Sequence, residues 1–290
     1  MFASPWIIGF LVFTLYPLGA SFYYGFTEFS IFQPPKFVGL DVYRELLRDG
    51  LFWKSVRNTL YLTVISTPVN LVFSLIIALM LNMRVFALSV YRTVYYIPTI
   101  VPLGATSLLW MWILNAQYGL LNSALNRLGL PGPNWLADPD LSKLSLIMMG
   151  VWASGNIIVI FLASLQEVPA ALYESAEIDG AGRWRKFWHI TLPWISPIIL
   201  FQLIMQVITN LQYFTQAYFV VSSSHLNQVA GNGGPENSLL MYAMYLYHNA
   251  FIYFKMGKAS AMAWFLFVFA ALITWLIFRS SRKWVSYGGE

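Results

Sequence analysis

Cysteine is absent from the chain, which excludes disulfides, thiolate nucleophiles and thiolate metal sites. Histidine is nearly as scarce: His189, His225 and His248 lie far apart and lack ligand spacing, so no metal site is expected. No G-x-x-x-x-G-K-[ST] phosphate loop occurs, and the chain cannot hold ATP in that manner. No nucleophile–base pair or carboxylate dyad stands at usable spacing in the apolar stretches, which argues against an enzyme. No cofactor of its own is therefore expected. Charge is the largest deficit. Asp, Glu, Lys and Arg make up 10% of the 290 residues, against about 25% in soluble domains.

What fills the space is apolar: 58% of residues are hydrophobic and 18% aromatic, the composition of an integral membrane protein. The net charge of +5 is scattered between apolar stretches rather than clustered, which fits a membrane surface and not nucleic acid. A membrane crossing needs about 20 mostly apolar residues, and within hydrocarbon the backbone has to satisfy itself, so each crossing should be a helix. Candidate spans cover 5–26, 58–81, 94–114, 144–165, 194–221 and 259–278. The expected fold is an all-α integral membrane protein, a bundle of about six transmembrane helices forming one domain over 1–290. The first span lacks a basic leader and a small-residue cleavage site, so it reads as a mature helix. Lys and Arg, counted by side, come to eight against nine, and the charge rule leaves the orientation open.

Three loops on the side away from both termini carry local signals. In the first, Gln33-Pro34-Pro35 precedes a short helix over 41–47 expected to be capped by Asp41. In the second, leucines three and four residues apart over 119–128 predict an amphipathic surface helix that Pro131-Gly132-Pro133 ends. In the third, Gly233-Gly234-Pro235 precedes an aromatic helix expected over 239–251.

None of the six spans carries Asp, Glu, Lys or Arg in its interior, which argues against proton coupling and disfavours an anionic solute. The fifth is polar instead. At 100° per residue Gln202, Gln206, Thr209, Tyr213 and Gln216 share one face, with Asn210 at its edge. One reading is helix–helix hydrogen bonding, about 0.6 kcal/mol per contact. The other is a cavity of neutral donors and acceptors suited to a hydroxyl-rich solute. Asn156, in the Gly-containing segment Trp152-Ala153-Ser154-Gly155-Asn156, is a further candidate contact, while Trp152 reads as packing.

A polar interruption, 167–193, separates the fourth and fifth spans. Pro169 suits a first helical turn, Asp179-Gly180 should break the helix, a second helix should start near Gly182, and Pro193 should end it. Within it stand Glu174-Ser175-Ala176, Asp179-Gly180-Ala181, Phe187 and Ile190-Thr191-Leu192-Pro193. This pattern resembles the cytoplasmic signature of the permease subunits of binding-protein-dependent ABC importers, in the carbohydrate (maltose-type) branch. Ser175 replaces the family's first Ala and is the one departure. Arg92 to Pro98, Gly119-Leu120-Leu121-Asn122, Trp135-Leu136 and Gly233-Gly234-Pro235 match further family elements.

The resemblance implies the type I importer permease fold, with the 167–193 elbow and both termini in the cytoplasm of a bacterial or archaeal cell (inner) membrane. It implies a homologous second permease, two copies of an ABC ATPase that hold ATP and Mg, an extracytoplasmic solute-binding protein, and a sugar or related solute. Glu174, Ser175, Ala176, Asp179, Gly180, Ala181 and Phe187 would meet the ATPase, and Trp184, Phe187 and Ile190 would hold the second elbow helix against the bundle. Positions aligned with Gln206 and Asn210 are among those that touch sugar in the maltose-type permeases. The family also carries a short basic tail before its first span, so a start at Met1-Phe2 suggests a truncated N-terminus. The alternative that needs no partner is a channel or facilitator for small polar solutes.

Overall fold

The computed structural model describes residues 3–83, 86–223 and 233–286, and Arg84 and His225 fall outside these. Helix α1 (Ser4–Phe10) runs through a π-helical turn (Leu11–Leu15) into α2 (Tyr16–Tyr24), a single apolar run of 21 residues. A hairpin of β1 (Thr27–Ser30) and β2 (Gln33–Phe37) follows, pairing Thr27 with Phe37. Next come α3 (Asp41–Arg48) and the 32-residue α4 (Gly50–Leu81). Helices α5 (Leu88–Ile100) and α6 (Leu103–Ile113) form a bent pair, and α7 (Leu120–Arg127) is short. A second bent pair joins α8 (Leu141–Trp152) to α9 (Gly155–Gln166). The elbow contributes α10 (Ala170–Ile178) and α11 (Arg183–Lys186). Then α12 (Leu192–Leu211), α13 (Thr215–Ser223), α14 (Tyr242–Tyr247) and α15 (Met256–Ser281) complete the chain.

Among the described residues four helices are long and apolar enough to cross a membrane, and up to six crossings result when each bent pair counts as one, in line with the six that the sequence predicts. The centre is α4, which packs against α8, α9, α12 and α14. Its inward face is polar, with Asn58, Thr63, Ser66, Thr67 and Asn70 buried, while Val64 and Val72 point outward. That inversion suits a helix whose outer solvent is lipid.

Three of the spans are broken helices. The third bends by 103° between α5 and α6. Val101 precedes Pro102 and is pushed into an extended conformation (ψ 129°), while Pro98 and Pro102 each remove an amide donor. The fourth bends by 47° at Ala153 and Ser154. Here Gly155 lets α9 touch α5 backbone to backbone, since an added Cβ would lie 2.1 Å from the Tyr95 carbonyl oxygen. The fifth breaks at residues 212–214, between α12 and α13.

The loops also depart from expectation. Asp41 is the first residue of α3 and pairs with Arg44 at 2.8 Å instead of capping the helix. The cap that matters belongs to Asp49, which accepts amide hydrogens from Leu51 and Phe52 at 2.9 and 3.4 Å and starts α4 eight residues before the predicted span. The 119–128 helix forms as α7, and buried Asn122 ties its loop together. Asn122 Nδ2 donates to the carbonyls of Ala116 (3.1 Å) and Pro133 (3.0 Å), while its Oδ1 accepts from Trp135 Nε1 (2.8 Å). The aromatic helix starts three residues later than predicted, at Tyr242, and runs on through a π-helical turn over His248–Ile252. Asn58 Nδ2 donates to the carbonyls of Asn237 and Leu240 at 2.7 and 3.1 Å, and Thr59 Oγ1 accepts the Tyr242 amide hydrogen at 2.8 Å, so α4 holds the segment just before the helix, whose first bond runs from the Tyr245 amide to the Met241 carbonyl at 2.9 Å.

Candidate functional site

The elbow folds as two short helices around one glycine. Gly180 adopts φ +74°, its amide donates to the Glu177 carbonyl at 3.0 Å, and the Ala181 amide donates to that of Ala176 at 2.8 Å. This is the paired-bond helix stop that a left-handed residue permits. Glu174, Ser175, Asp179 and Gly180 are exposed, and Ala176, Ala181 and Phe187 are half-buried. Lys186 Nζ meets Glu177 Oε1 at 2.5 Å and holds the Glu177 carboxyl below the usual range, and Tyr173 bonds Thr191 at 2.8 Å.

Two expectations are corrected here. Trp184 is 76% exposed and does not pack on the bundle; it meets the edge of Phe187, while Phe187 and Ile190 are half-buried. Pro193 does not end the second elbow helix. A π-helical turn over Phe187–Thr191 carries α11 into α12, giving a helical run from Arg183 to Leu211. The widened turn absorbs the amide that Pro193 lacks without breaking the helix.

On α12 the polar stripe opens into a cavity of about 460 Å³. Gln202, Gln206, Thr209, Asn210, Tyr213 and Asn156 all line it, and among the described residues no Asp, Glu, Lys, Arg or His stands in the wall. Their hydrogen bonds divide them. Asn210 Nδ2 donates to Thr67 Oγ1 on α4 at 3.0 Å, so this amide serves helix packing. Thr209 Oγ1 donates to the Met205 carbonyl at 2.8 Å. By contrast the buried Gln202 Nε2 and the Tyr213 hydroxyl have no partner among the described residues, and Gln206 lines the cavity half-buried. Ser66 and Asn70 of α4 also line the cavity, Asn70 Nδ2 donating to Ser66 Oγ at 2.9 Å. Sequence reasoning passed over these two. The signal available was their i, i+4 spacing beside Pro68 in an otherwise apolar helix. Trp152 meets the edge of Trp110 at 6.2 Å, in keeping with packing.

The family of binding-protein-dependent transport system inner membrane components matches residues 59–285, which hold both the elbow and the cavity. The chain belongs to this family. It is a transport permease subunit that crosses the membrane several times. It is 39% identical over 289 residues to the probable ABC transporter permease protein YesP of Bacillus subtilis, covering 99% of this chain and 91% of the relative. It is 32% identical over 271 residues to the sulfoquinovosyl glycerol transport system permease protein of Agrobacterium fabrum, covering 92% and 85%. Its fold is similar to a chain in the crystal structure of a bacterial ABC transporter involved in the import of the acidic polysaccharide alginate. The TM-score is 0.78 at 25% identity, with 96% of this chain and 93% of that chain covered.

Proposed function

We propose that this permease forms part of the translocation path of an ATP-driven importer for a sugar or related solute handed over by an external solute-binding protein. The observation that carries the reading is one helical run from Arg183 to Leu211, which joins the exposed elbow to the amide-lined cavity. Force applied at Glu174 and Asp179 has a rigid route to Gln202 and Gln206. The names of the two similar proteins with stated cargo, a glycosyl glycerol and a polysaccharide, support a saccharide.

In this reading a homologous second permease completes the path, and two ABC ATPase copies hold ATP and Mg and dock on the elbow from the cytoplasm, where both termini also lie. The docked binding protein and ATP favour the outward-open state and product release the inward-open one, since a ligand shifts conformations only by differential affinity. ATP-driven uptake in vesicles that contain every subunit is the direct test. Solute flux through the purified chain alone, without ATP, would instead establish the channel reading.

The cavity residues separate in a second measurement. Gln206→Leu is expected to weaken solute-stimulated ATP hydrolysis at least fivefold with the thermal midpoint unchanged. Asn210→Leu is expected to act on stability, because it strips Thr67 of its bond at a cost of about 1 kcal/mol. Equal stimulation by wild type and Gln206→Leu would return the stripe to packing alone.

A further inference from the structure

The three breaks in the spans share one property: each ends at the wall of the same cavity. Leu103 opens α6, Asn156 lies in the first turn of α9, Thr215 and Gln216 open α13, and all four residues line it. The first-turn amides of a helix have no acceptor within it, and each helix N-terminus carries about half a positive charge. No side chain caps α6 or α9; Pro102 has no side-chain acceptor and Ser154 Oγ donates backward to the Val151 carbonyl at 2.7 Å. At two of the three breaks, those before α9 and α13, the preceding helix end closes on its own carbonyls. Ala153 N–H donates to the Met149 and Gly150 carbonyls, and Gln212 and Tyr213 donate to those of Ile208, Thr209 and Asn210. At those two breaks first-turn donors therefore stand beside helix ends whose carbonyls are already in use, although the Ile157 amide of α9 is itself bonded to the Ser154 carbonyl at 2.9 Å.

A second observation points the same way. Gln202 is only 4% exposed, lines the cavity, and among the described residues its Nε2 has no acceptor; the buried Tyr213 hydroxyl is likewise unpartnered there. An unpaired buried donor costs about 1–3 kcal/mol until an acceptor arrives. With no acidic side chain in the wall, the arrangement suits a ligand that brings negative charge of its own.

Building on the import reading above, we propose that the cavity selects an acidic saccharide, its carboxylate or sulfonate set against the N-termini of α6, α9 and α13 and its hydroxyls met by Gln202, Gln206 and Tyr213. The expectation that an absent Lys or Arg disfavours an anion is thereby revised: three broken helices supply the positive potential that no side chain does. A volume of about 460 Å³ suits one or two sugar rings.

The test uses the complete transporter in proteoliposomes. Uptake is measured for acidic probes (digalacturonate, cellobiuronic acid, sulfoquinovosyl glycerol) and neutral probes of matching size (maltose, cellobiose, glucosyl glycerol). At least tenfold preference for an acidic probe is expected. Gln202→Glu, which places a carboxylate in the cavity, should reduce that uptake at least tenfold, and Tyr213→Phe should reduce it about threefold. Uptake confined to neutral probes overturns the acidic assignment and leaves sugar import standing, as does acidic uptake indifferent to both substitutions. Uptake of neither set sinks the import reading and this proposal with it. Should Gln202→Glu fail to co-purify with its partners, Tyr213→Phe decides by the same criterion.

Discussion

Asp49→Ala is expected to destabilise the hairpin end of the bundle by about 3 kcal/mol, the cost of leaving a buried partner charge uncompensated. Asp49 holds four groups. Its Oδ1 caps α4 through Leu51 and Phe52, and its Oδ2 accepts from the Tyr245 hydroxyl on α14 and from Lys258 Nζ on α15, the latter at 2.7 Å. The Asp49 and Lys258 side chains are 17% and 10% exposed, and the other acid near Lys258, Glu45, stands at 3.4 Å and is largely solvated. Truncation therefore strips Lys258 of its close partner. The thermal midpoint in detergent is the measurement, and Asp49→Asn, which keeps the Oδ1 cap, should lose less. Equal midpoints for Asp49→Ala and wild type would show that Lys258 finds water or Glu45 instead.

The same carboxylate sets an acid limit. Burial raises the Asp49 pKa, but hydrogen bonds from Lys258 and Tyr245, the Lys258 charge and the Leu51 amide outweigh it and leave the pKa below its ordinary 3.8. A carboxyl depressed on folding contributes stability that is fully present above its unfolded value and is lost as pH falls through the folded one. The midpoint should thus hold steady above about pH 4 and decline below it, and Asp49→Asn should flatten that decline.

The legible parts of this protein were those written in side chains. Six apolar stretches, the glycine stop at Gly180 and the amides of α12 can each be read off residue type and period, because transfer cost, φ > 0 and 100° spacing are local matters. Asp49 was not legible: its capping depends on α4 beginning well outside the apolar stretch, and its value depends on Lys258, 209 residues away. The bends were half legible. Pro98 and Pro102 stand in plain view, yet a 103° turn and not a mild kink arises only because Val101 goes extended between them. Pro193 misled for the reverse reason, since a π turn costs little where five residues can widen together. The electrostatics of the cavity were invisible in a charge count because they arise from where helices start, and no residue type records that.

Gly180→Pro and Glu174→Lys are expected to separate uptake from assembly. Proline requires φ near −65°, whereas position 180 sits at +74°, and its missing N–H deletes the bond to the Glu177 carbonyl. The stop that turns α10 into α11 would fail, and with it the alignment that lets Lys186 meet Glu177 and Tyr173 meet Thr191. Both contacts hold the elbow, and the core clusters around Leu62 and Ile195 are built from other residues, so the bundle should still form. In vesicles containing all subunits, uptake should fall at least tenfold for Gly180→Pro, with residual ATP hydrolysis no longer stimulated by the binding protein. Glu174→Lys leaves the elbow fold intact, because Glu174 is exposed and makes no ion pair among the described residues. Its loss should therefore appear as weaker co-purification of the ATPase. Normal uptake in both variants would place the ATPase contact elsewhere on the chain. Loss of uptake with Glu174→Lys but not with Gly180→Pro would mean that charge, and not the rigid turn, carries the coupling.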